Sequence, residues 1–207
     1  MRDKTYAFID AANLFYGGKK SLGWKINYNK LLAYLKSKYN ISKAFYYAGF
    51  ETNGFDYSVL KNDQVDLIKL LKYFKNKVKN SNLTQIEKSR LKSKIQRIKF
   101  YKKLHEFGYT LMLKPTKIYK EGGKTIKKAN CDVDMTLDML RYMEQYSSAV
   151  VLSGDGDFTS VLKYLITKKR NIFVLARGER SAKEIKQLVG GGFRDFHMLR
   201  KEIEFKP

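Results

Sequence analysis

Short apolar segments alternate with helix-like segments along this chain, and that alternation restricts the fold more than any other feature of the sequence. Strands are predicted at residues 6–9, 44–48, 111–113, 150–152 and 171–176. Between several of them, apolar residues recur at helical spacing, as Phe158, Val161, Leu162 and Leu165 do. Strands that alternate with helices are typical of α/β proteins with a parallel sheet. We therefore expect a three-layer α/β/α sandwich with a mostly parallel central sheet.

The middle of the chain, residues 56–107, shows no strand pattern and predicts an inserted helical hairpin within a single domain of residues 1–207. Thr84 and Glu87 have capping-box spacing, which marks the start of the second helix, and the turn is expected near Asn80. Residues 61–103 contain 14 Lys and Arg but three Asp and Glu. This charge fits either a solvated outer face or an arm that follows a phosphate backbone.

The overall charge points to a polyanionic partner. The formal net charge is +22, so nucleic acid is the leading candidate, ahead of an anionic membrane surface or a compositional bias towards lysine. No apolar run approaches the roughly 20 residues that span a bilayer, and no signal-like apolar region follows the first residues. The single cysteine, Cys131, fits a reducing compartment, so we expect a cytoplasmic protein without a membrane partner.

Acidic residues follow two of the predicted strands. Asp10 ends the first, while Asp155 and Asp157 follow the strand at residues 150–152. Ligands of open α/β sheets bind beyond the carboxyl ends of the strands, and carboxylates suit Mg²⁺ or Mn²⁺. A further cluster, Asp132, Asp134 and Asp138, lies on a predicted helix that begins near Cys131.

Each acid also has a structural interpretation. Asp10 could be a turn residue and Asp157 the N-cap of the next helix. Asp132 could be a cap, because a helix dipole favours a carboxylate in the first turn. Asp138 could be a surface acid paired with Arg141 or Lys128. The joint pattern of acids favours a functional site over these separate explanations.

Three other motifs need an interpretation. Residues 116–128 predict a basic β-hairpin that turns at Gly122 and Gly123. The fragment GGKT within it is not a phosphate-binding loop, because Ile118 stands where that motif requires glycine. Ser181 and Glu184 have the spacing of a second capping box.

An alternative enzyme class is a haloacid-dehalogenase-like phosphatase. The segments DVDMT and SGDGD imitate two motifs of that class and occur in the correct order. The first motif would have to follow an apolar strand, yet a Lys-rich segment precedes it. The two motifs are also only 23 residues apart from Asp132 to Asp155, too few for the core of that fold.

The segments FIDAANL, CDVDMTLDML and VVLSGDGDF, with an amphipathic helix and NIFVLA after the last, resemble the NYN domain. The similarity is to its LabA-like branch, within the PIN-like nuclease superfamily. The resemblance implies a compact α/β/α domain with an acidic metal pocket, and characterised relatives include metal-dependent ribonucleases. Members can form dimers, and the sequence leaves a homodimer open.

The resemblance also implies roles for individual residues. The expected catalytic and metal-binding acids are Asp10, Asp132, Asp155 and Asp157, with Asp138 as an additional acid. Asn13 and Ser153 match positions expected to orient the substrate or the carboxylates. Asp134 departs from the family pattern, which usually has a small or apolar residue there, so we expect it to face solvent.

The expected function is that of a metal-dependent endoribonuclease that hydrolyses RNA phosphodiester bonds with Mg²⁺ or Mn²⁺. RNA is preferred over DNA through the resemblance alone. Aromatic residues interleaved with the basic ones, such as Tyr16, Trp24 and Tyr119, could stack single-stranded bases, although such residues more often pack in the core or at its rim. The alternative is a non-catalytic RNA-binding or scaffolding module that keeps the same fold.

Overall fold

The structure is a computed structural model that describes residues 4–17, 23–61, 64–79, 82–121 and 124–206. Its strands are β1 (Thr5–Asp10), β2 (Ile41–Phe50), β3 (Thr110–Pro115), β4 (Lys117–Glu121), β5 (Lys124–Lys128), β6 (Ser148–Leu152), β7 (Asn171–Ala176) and β8 (Phe193–Asp195). Its α-helices are α1 (Ala11–Gly17), α2 (Tyr28–Tyr39), α3 (Leu67–Val78), α4 (Gln85–Phe107), α5 (Asp132–Arg141), α6 (Thr159–Thr167), α7 (Lys183–Val189) and α8 (Arg200–Ile203). All five predicted strands are confirmed.

The central sheet of the described chain has six strands in the order β3-β2-β1-β6-β7-β8, and every neighbouring pair is parallel. The carboxyl ends of β1, β2, β6 and β7 therefore meet at one edge of the sheet. Strands β4 and β5 form a separate antiparallel pair, which confirms the predicted hairpin. Its predicted turn at Gly122 and Gly123 lies outside the described residues.

Two apolar layers cover the two faces of the sheet. Along β1 the side chains alternate, with Ala7 and Ile9 in one cluster and Tyr6 and Phe8 in the other. The first cluster includes residues of α2, α3, α4 and α8, and the second includes residues of α5, α6 and α7. Helices on both faces of a parallel sheet confirm the predicted α/β/α sandwich. None of the helices in the described ranges is long and apolar enough to cross a membrane.

The two middle helices, α3 and α4, lie in the chain between β2 and β3. Leu70 and Phe74 of α3 and Ile98 and Leu104 of α4 are buried in the first cluster. The helical hairpin is therefore part of the core on that face, although its turn near Asn80 falls outside the described residues. That the hairpin is an insertion into one domain remains a prediction.

The capping box predicted at Thr84 is confirmed, because its side chain and that of Glu87 each bind the other's backbone N–H. The capping box predicted at Ser181 is wrong. Helix α7 follows Ala182 without a side-chain cap, and the Ser181 hydroxyl donates to the Arg177 carbonyl at 2.6 Å. The reason is tertiary: the Ala182 N–H donates to the Gly154 carbonyl at 3.0 Å, which docks this loop on the segment after β6.

Candidate acidic site at the carboxyl edge of the sheet

Asp10 is the buried centre of the candidate site. It is the last residue of β1, and its Oδ1 accepts hydrogen bonds from the N–H groups of Ala12 at 2.9 Å and Asn13 at 3.2 Å. These bonds make Asp10 the turn residue between β1 and α1, which confirms its structural interpretation from the sequence. The residue is 7% exposed, and burial raises the pKa of its carboxyl above the usual value. The Asn13 N–H lowers the pKa again, while the charge of Asp132 raises it.

Ser153 holds the other oxygen of Asp10. In the register of the two parallel strands, Ile9 pairs with Leu152, so the next residues, Asp10 and Ser153, leave the sheet side by side. The fully buried Ser153 hydroxyl donates to Asp10 Oδ2 at 3.1 Å and accepts the Asp155 N–H at 3.3 Å. Ser153 thus connects the buried acid to the loop that carries Asp155.

Asp132 approaches this edge from the helical layer on the α5 side. It is the first residue of α5 and is partly buried. Burial is the main cause that raises the pKa of Asp132, and the charge of Asp155 is the second. The charges of Asp157 and Asp134 raise this pKa further. Lys128 at the end of β5 lowers the pKa of Asp132. Asp132 therefore interacts electrostatically with three other acids: its charge acts on Asp10, and the charges of Asp155 and Asp157 act on it.

Asp155 and Asp157 are the exposed members of the site. Asp155 Oδ1 accepts the Asp157 N–H at 3.1 Å and so caps the short 3-10 helix Gly156–Phe158. The interpretation of Asp157 as a helix N-cap is wrong, because Phe158 precedes α6 without a side-chain cap. Both residues are exposed, so a ligand can reach their carboxylates.

Asp138 has a structural environment instead. It is 2% exposed, so its interpretation as a surface acid is wrong. Its Oδ2 accepts a hydrogen bond from the Tyr47 hydroxyl at 3.0 Å, and its Oδ1 pairs with Arg141 at 3.1 Å. Arg141 was one of its two expected partners, whereas the other, Lys128, acts on Asp132. Burial raises the pKa of Asp138, and the Tyr47 hydrogen bond lowers it.

Asp134 forms an ion pair with Lys114 at 2.6 Å, and its side chain is 43% exposed. Sequence reasoning missed Lys114 and also the effect of Lys128 on Asp132. The only signal for either was the general excess of lysine, because neither contact follows a local pattern. Of the aromatic residues, Trp24 is buried and cannot stack a base, and Tyr119 is 43% exposed. The Tyr16 side chain lies outside the described residues.

The donor set fits a hard divalent cation in its chemistry. It consists of carboxylates, and Mg²⁺ and Mn²⁺ prefer oxygen ligands. Within the described ranges, no three Asp, Glu, His or Cys side chains converge closely enough to hold a metal ion unaided. Mg²⁺ usually takes one or two carboxylates and keeps several waters, so such convergence is not required for binding. Asp10, Asp132, Asp155 and Asp157 are the candidates to hold such an ion, and this assignment remains a prediction.

A six-stranded parallel sheet between two helical layers, with acids at its carboxyl edge, fits the PIN-like nuclease superfamily. The chain belongs to the NYN domain family, whose model matches residues 4–89 and 56–189. It is 28% identical over 200 residues to the low amplitude and bright protein LabA of Synechococcus elongatus, covering 95% of this chain and 86% of LabA.

The fold is also similar to a crystal structure of a protein of unknown function from Vibrio parahaemolyticus. The TM-score is 0.57 at 16% sequence identity, over 91% of this chain and 90% of that chain. This similarity concerns the fold alone.

Proposed function

We propose that this protein is a metal-dependent ribonuclease that hydrolyses phosphodiester bonds of RNA at the acidic edge of the sheet. One observation carries the proposal: buried Asp10 is held by Ser153 and lies within electrostatic range of Asp132, which in turn is affected by Asp155 and Asp157. Carboxylates placed together repel one another, and the described chain provides Lys128 as a partial offset for Asp132. A bound cation would relieve the rest of that repulsion.

The residues divide into those that would hold the metal and those that orient them. When bound, Mg²⁺ or Mn²⁺ would lower the pKa of a water molecule and stabilise charge on the phosphoryl oxygens. Asp10 and Asp132 supply partly desolvated carboxylates, while exposed Asp155 and Asp157 face the substrate side. Ser153 and the Asn13 N–H fix the Asp10 carboxylate. A histidine base is not required by this arrangement.

RNA binding is proposed to depend on the excess of positive charge. Half of the net charge of +22 comes from residues 61–103, whose described part forms α3, α4 and the segments beside them. Many of these lysines are exposed, among them Lys69, Lys75, Lys92 and Lys99. Contacts of this kind follow the backbone, so binding should weaken steeply with salt and show little sequence preference. Cytoplasmic location and a homodimer remain predictions.

The test is cleavage of labelled single-stranded and structured RNA with Mg²⁺ or Mn²⁺, with DNA of the same sequence as a comparison. We expect cutting that EDTA abolishes and that Asp155→Asn reduces at least about 100-fold. Asp56→Asn is the matched control, because Asp56 is an exposed aspartate outside the site. Equal loss in both variants, or cutting that persists in EDTA, would contradict the assignment.

The second candidate is a non-catalytic RNA-binding or scaffolding module. It is favoured by the exposed lysines of α3 and α4, which can bind an RNA backbone without a metal ion. This function predicts salt-sensitive RNA binding without cleavage under any metal condition. It also predicts that Asp155→Asn binds RNA as the wild type does.

A further inference from the structure

A cavity of about 400 Å³ lies away from the acidic site, between α3, α4 and the end of β2. Its floor is apolar and its rim is polar. The floor residues are Phe50, Leu70, Phe74, Ile98 and Tyr101, and the rim residues are Glu51, Arg90, Ser93, Lys94 and Arg97. A cavity of this size with an apolar floor and a few polar groups is typical of small-ligand sites.

The segment after β2 that closes the cavity is firmly held. Lys94 Nζ forms an ion pair with Glu51 at 2.9 Å and donates to the Asn53 side chain. The Asn53 carbonyl accepts hydrogen bonds from the Tyr73 hydroxyl at 2.9 Å and from Lys77 at 2.7 Å. Because both α3 and α4 bind this segment, the cavity is pre-formed, which reduces the cost of ordering it around a ligand.

The cations on the rim differ in how far their charge is offset. Lys94 is neutralised by Glu51. Arg90 and Arg97 are exposed, and within the described residues no Asp or Glu forms an ion pair with either guanidinium. Glu87, three residues before Arg90, interacts with it only at longer range, and the charge of Arg90 lowers the Glu87 pKa. They lie seven residues apart on one side of α4, a separation of about 10 Å along the helix axis. Two guanidinium groups spaced in this way suit two phosphate groups better than one.

The position of the cavity connects it to the acidic edge. Tyr47 of β2 pairs with Asp10, and β2 continues three residues further to Phe50 on the cavity floor. The cavity floor therefore reaches the same edge of the sheet at Phe50, one strand away from Asp10. It lies on the face covered by α4, whereas Asp132 approaches from the face covered by α5. A nucleic-acid strand that crosses this edge would reach both.

We propose that the cavity binds one nucleotide of a single-stranded RNA, with the base against the apolar floor and its two flanking phosphates on Arg90 and Arg97. The choice of RNA rests on the proposed function, but binding in this cavity does not depend on hydrolysis. The site would fix which nucleotide lies at a set distance from the acidic edge, and so would position the strand for cleavage.

The experiment measures binding of a fluorescein-labelled single-stranded RNA hexamer by anisotropy, in EDTA, over a range of salt concentrations. The first variant is Arg90→Gln with Arg97→Gln, and its control is Lys92→Gln with Lys99→Gln, which removes the same charge at the same spacing from the opposite side of α4. The second variant is Ser93→Phe, which fills the cavity without changing the charge. Its control is Gln96→Phe, an exposed position of α4 outside the cavity lining.

We expect the double arginine variant to lose affinity at least about tenfold and to lower the salt slope by about 1.4, because each phosphate contact to a single strand contributes roughly 0.7. The lysine control should show a smaller loss of affinity. Ser93→Phe should lower the RNA affinity at least about tenfold, and Gln96→Phe should lower it less than about twofold. Thermal unfolding confirms that each variant is folded. The proposal is overturned if Ser93→Phe binds RNA as the wild type does, or if the arginine and lysine pairs behave alike.

Two further measurements separate this inference from the proposed function. Titration with AMP and UMP tests for a free-nucleotide site: binding of a mononucleotide that Ser93→Phe abolishes, with unchanged RNA affinity, would also overturn the strand proposal. Cleavage assays are run separately with Mn²⁺. If no cleavage occurs but the RNA affinities change as expected, the ribonuclease proposal fails and the cavity assignment stands.

Discussion

The Tyr47 hydroxyl on β2 donates a hydrogen bond of 3.0 Å to Asp138 Oδ2 on α5, and both residues are almost fully buried. This bond ties the helix that begins with Asp132 to β2, an interior strand of the sheet. Arg141, one turn further along α5, pairs with the other oxygen of Asp138. Asp138 thus acts as an anchor that sets the position of α5, and through it the position of Asp132.

Removing this anchor should destabilise the fold. We expect Asp138→Ala to lower the free energy of unfolding by about 3 kcal/mol, because it leaves a buried hydroxyl and a guanidinium without their acceptor. Tyr47→Phe should cost about 1 kcal/mol, since it removes one hydrogen bond. Urea denaturation of the two single variants and the double variant gives the coupling between the residues.

The matched control for this anchor is Asp134→Ala, because Asp134 lies on the same helix in a partly exposed ion pair with Lys114. We expect it to cost at most about 1 kcal/mol. Additive losses for Tyr47→Phe and Asp138→Ala would contradict the anchor, since they would mean that the hydrogen bond carries no stability.

Ser153 should act as a positioning residue for Asp10. We expect Ser153→Ala to weaken cleavage about tenfold, because groups that orient metal-binding carboxylates typically contribute this much. The loss should appear as a higher Mn²⁺ concentration at half-maximal activity, with thermal stability changed much less. Ser148→Ala, at the start of β6, the strand that Ser153 follows, is the control and should leave the metal dependence unchanged. An unaltered metal dependence in Ser153→Ala would contradict the role.

Gly154 should be intolerant of a side chain. A Cβ at this position would meet the Ser181 side chain and approach its Cα to 3.0 Å. We expect Gly154→Ala to cost about 2 kcal/mol and to reduce cleavage, because the clash moves the loop that carries Asp155. Adding Ser181→Gly should restore part of both. Gly191→Ala, where no atom lies within 4 Å of the added Cβ, should change neither. Absence of rescue would show that the clash with Ser181 is not the cause.

The five strands and the positions of Asp10 and Asp155 at or just beyond strand ends could be predicted because they depend on local patterns. Apolar runs that end in polar residues define the strand ends. Once β1 and β6 are parallel neighbours, the residues that follow them share one edge of the sheet. The order of the acidic motifs then suffices to bring Asp10 and Asp155 to the same side of the molecule.

The remaining features depend on contacts between distant parts of the chain. Asp138 is buried by Tyr47, which lies 91 residues away, so helical periodicity alone could not distinguish it from a surface acid. Ser181 has the spacing of a cap, but its loop docks on the carbonyl of Gly154. The cavity next to Arg90 is lined by residues from the end of one strand and from two helices, so no local sequence pattern predicts it.

The two capping-box motifs allow a direct comparison of sequence pattern with structure. Thr84→Ala should lower the free energy of unfolding by about 1 kcal/mol, because the Thr84 side chain accepts the Glu87 N–H at the start of α4. Glu184→Ala should change it by less than about 0.5 kcal/mol, because Glu184 is exposed and α7 has no side-chain cap. Urea denaturation measures both. Equal losses of unfolding free energy in the two variants would mean that Glu184 caps α7 in solution. A negligible loss in Thr84→Ala would mean that α4 does not depend on its cap. Packing of the buried Leu91, Ile98 and Leu104 would then be sufficient to hold the helix.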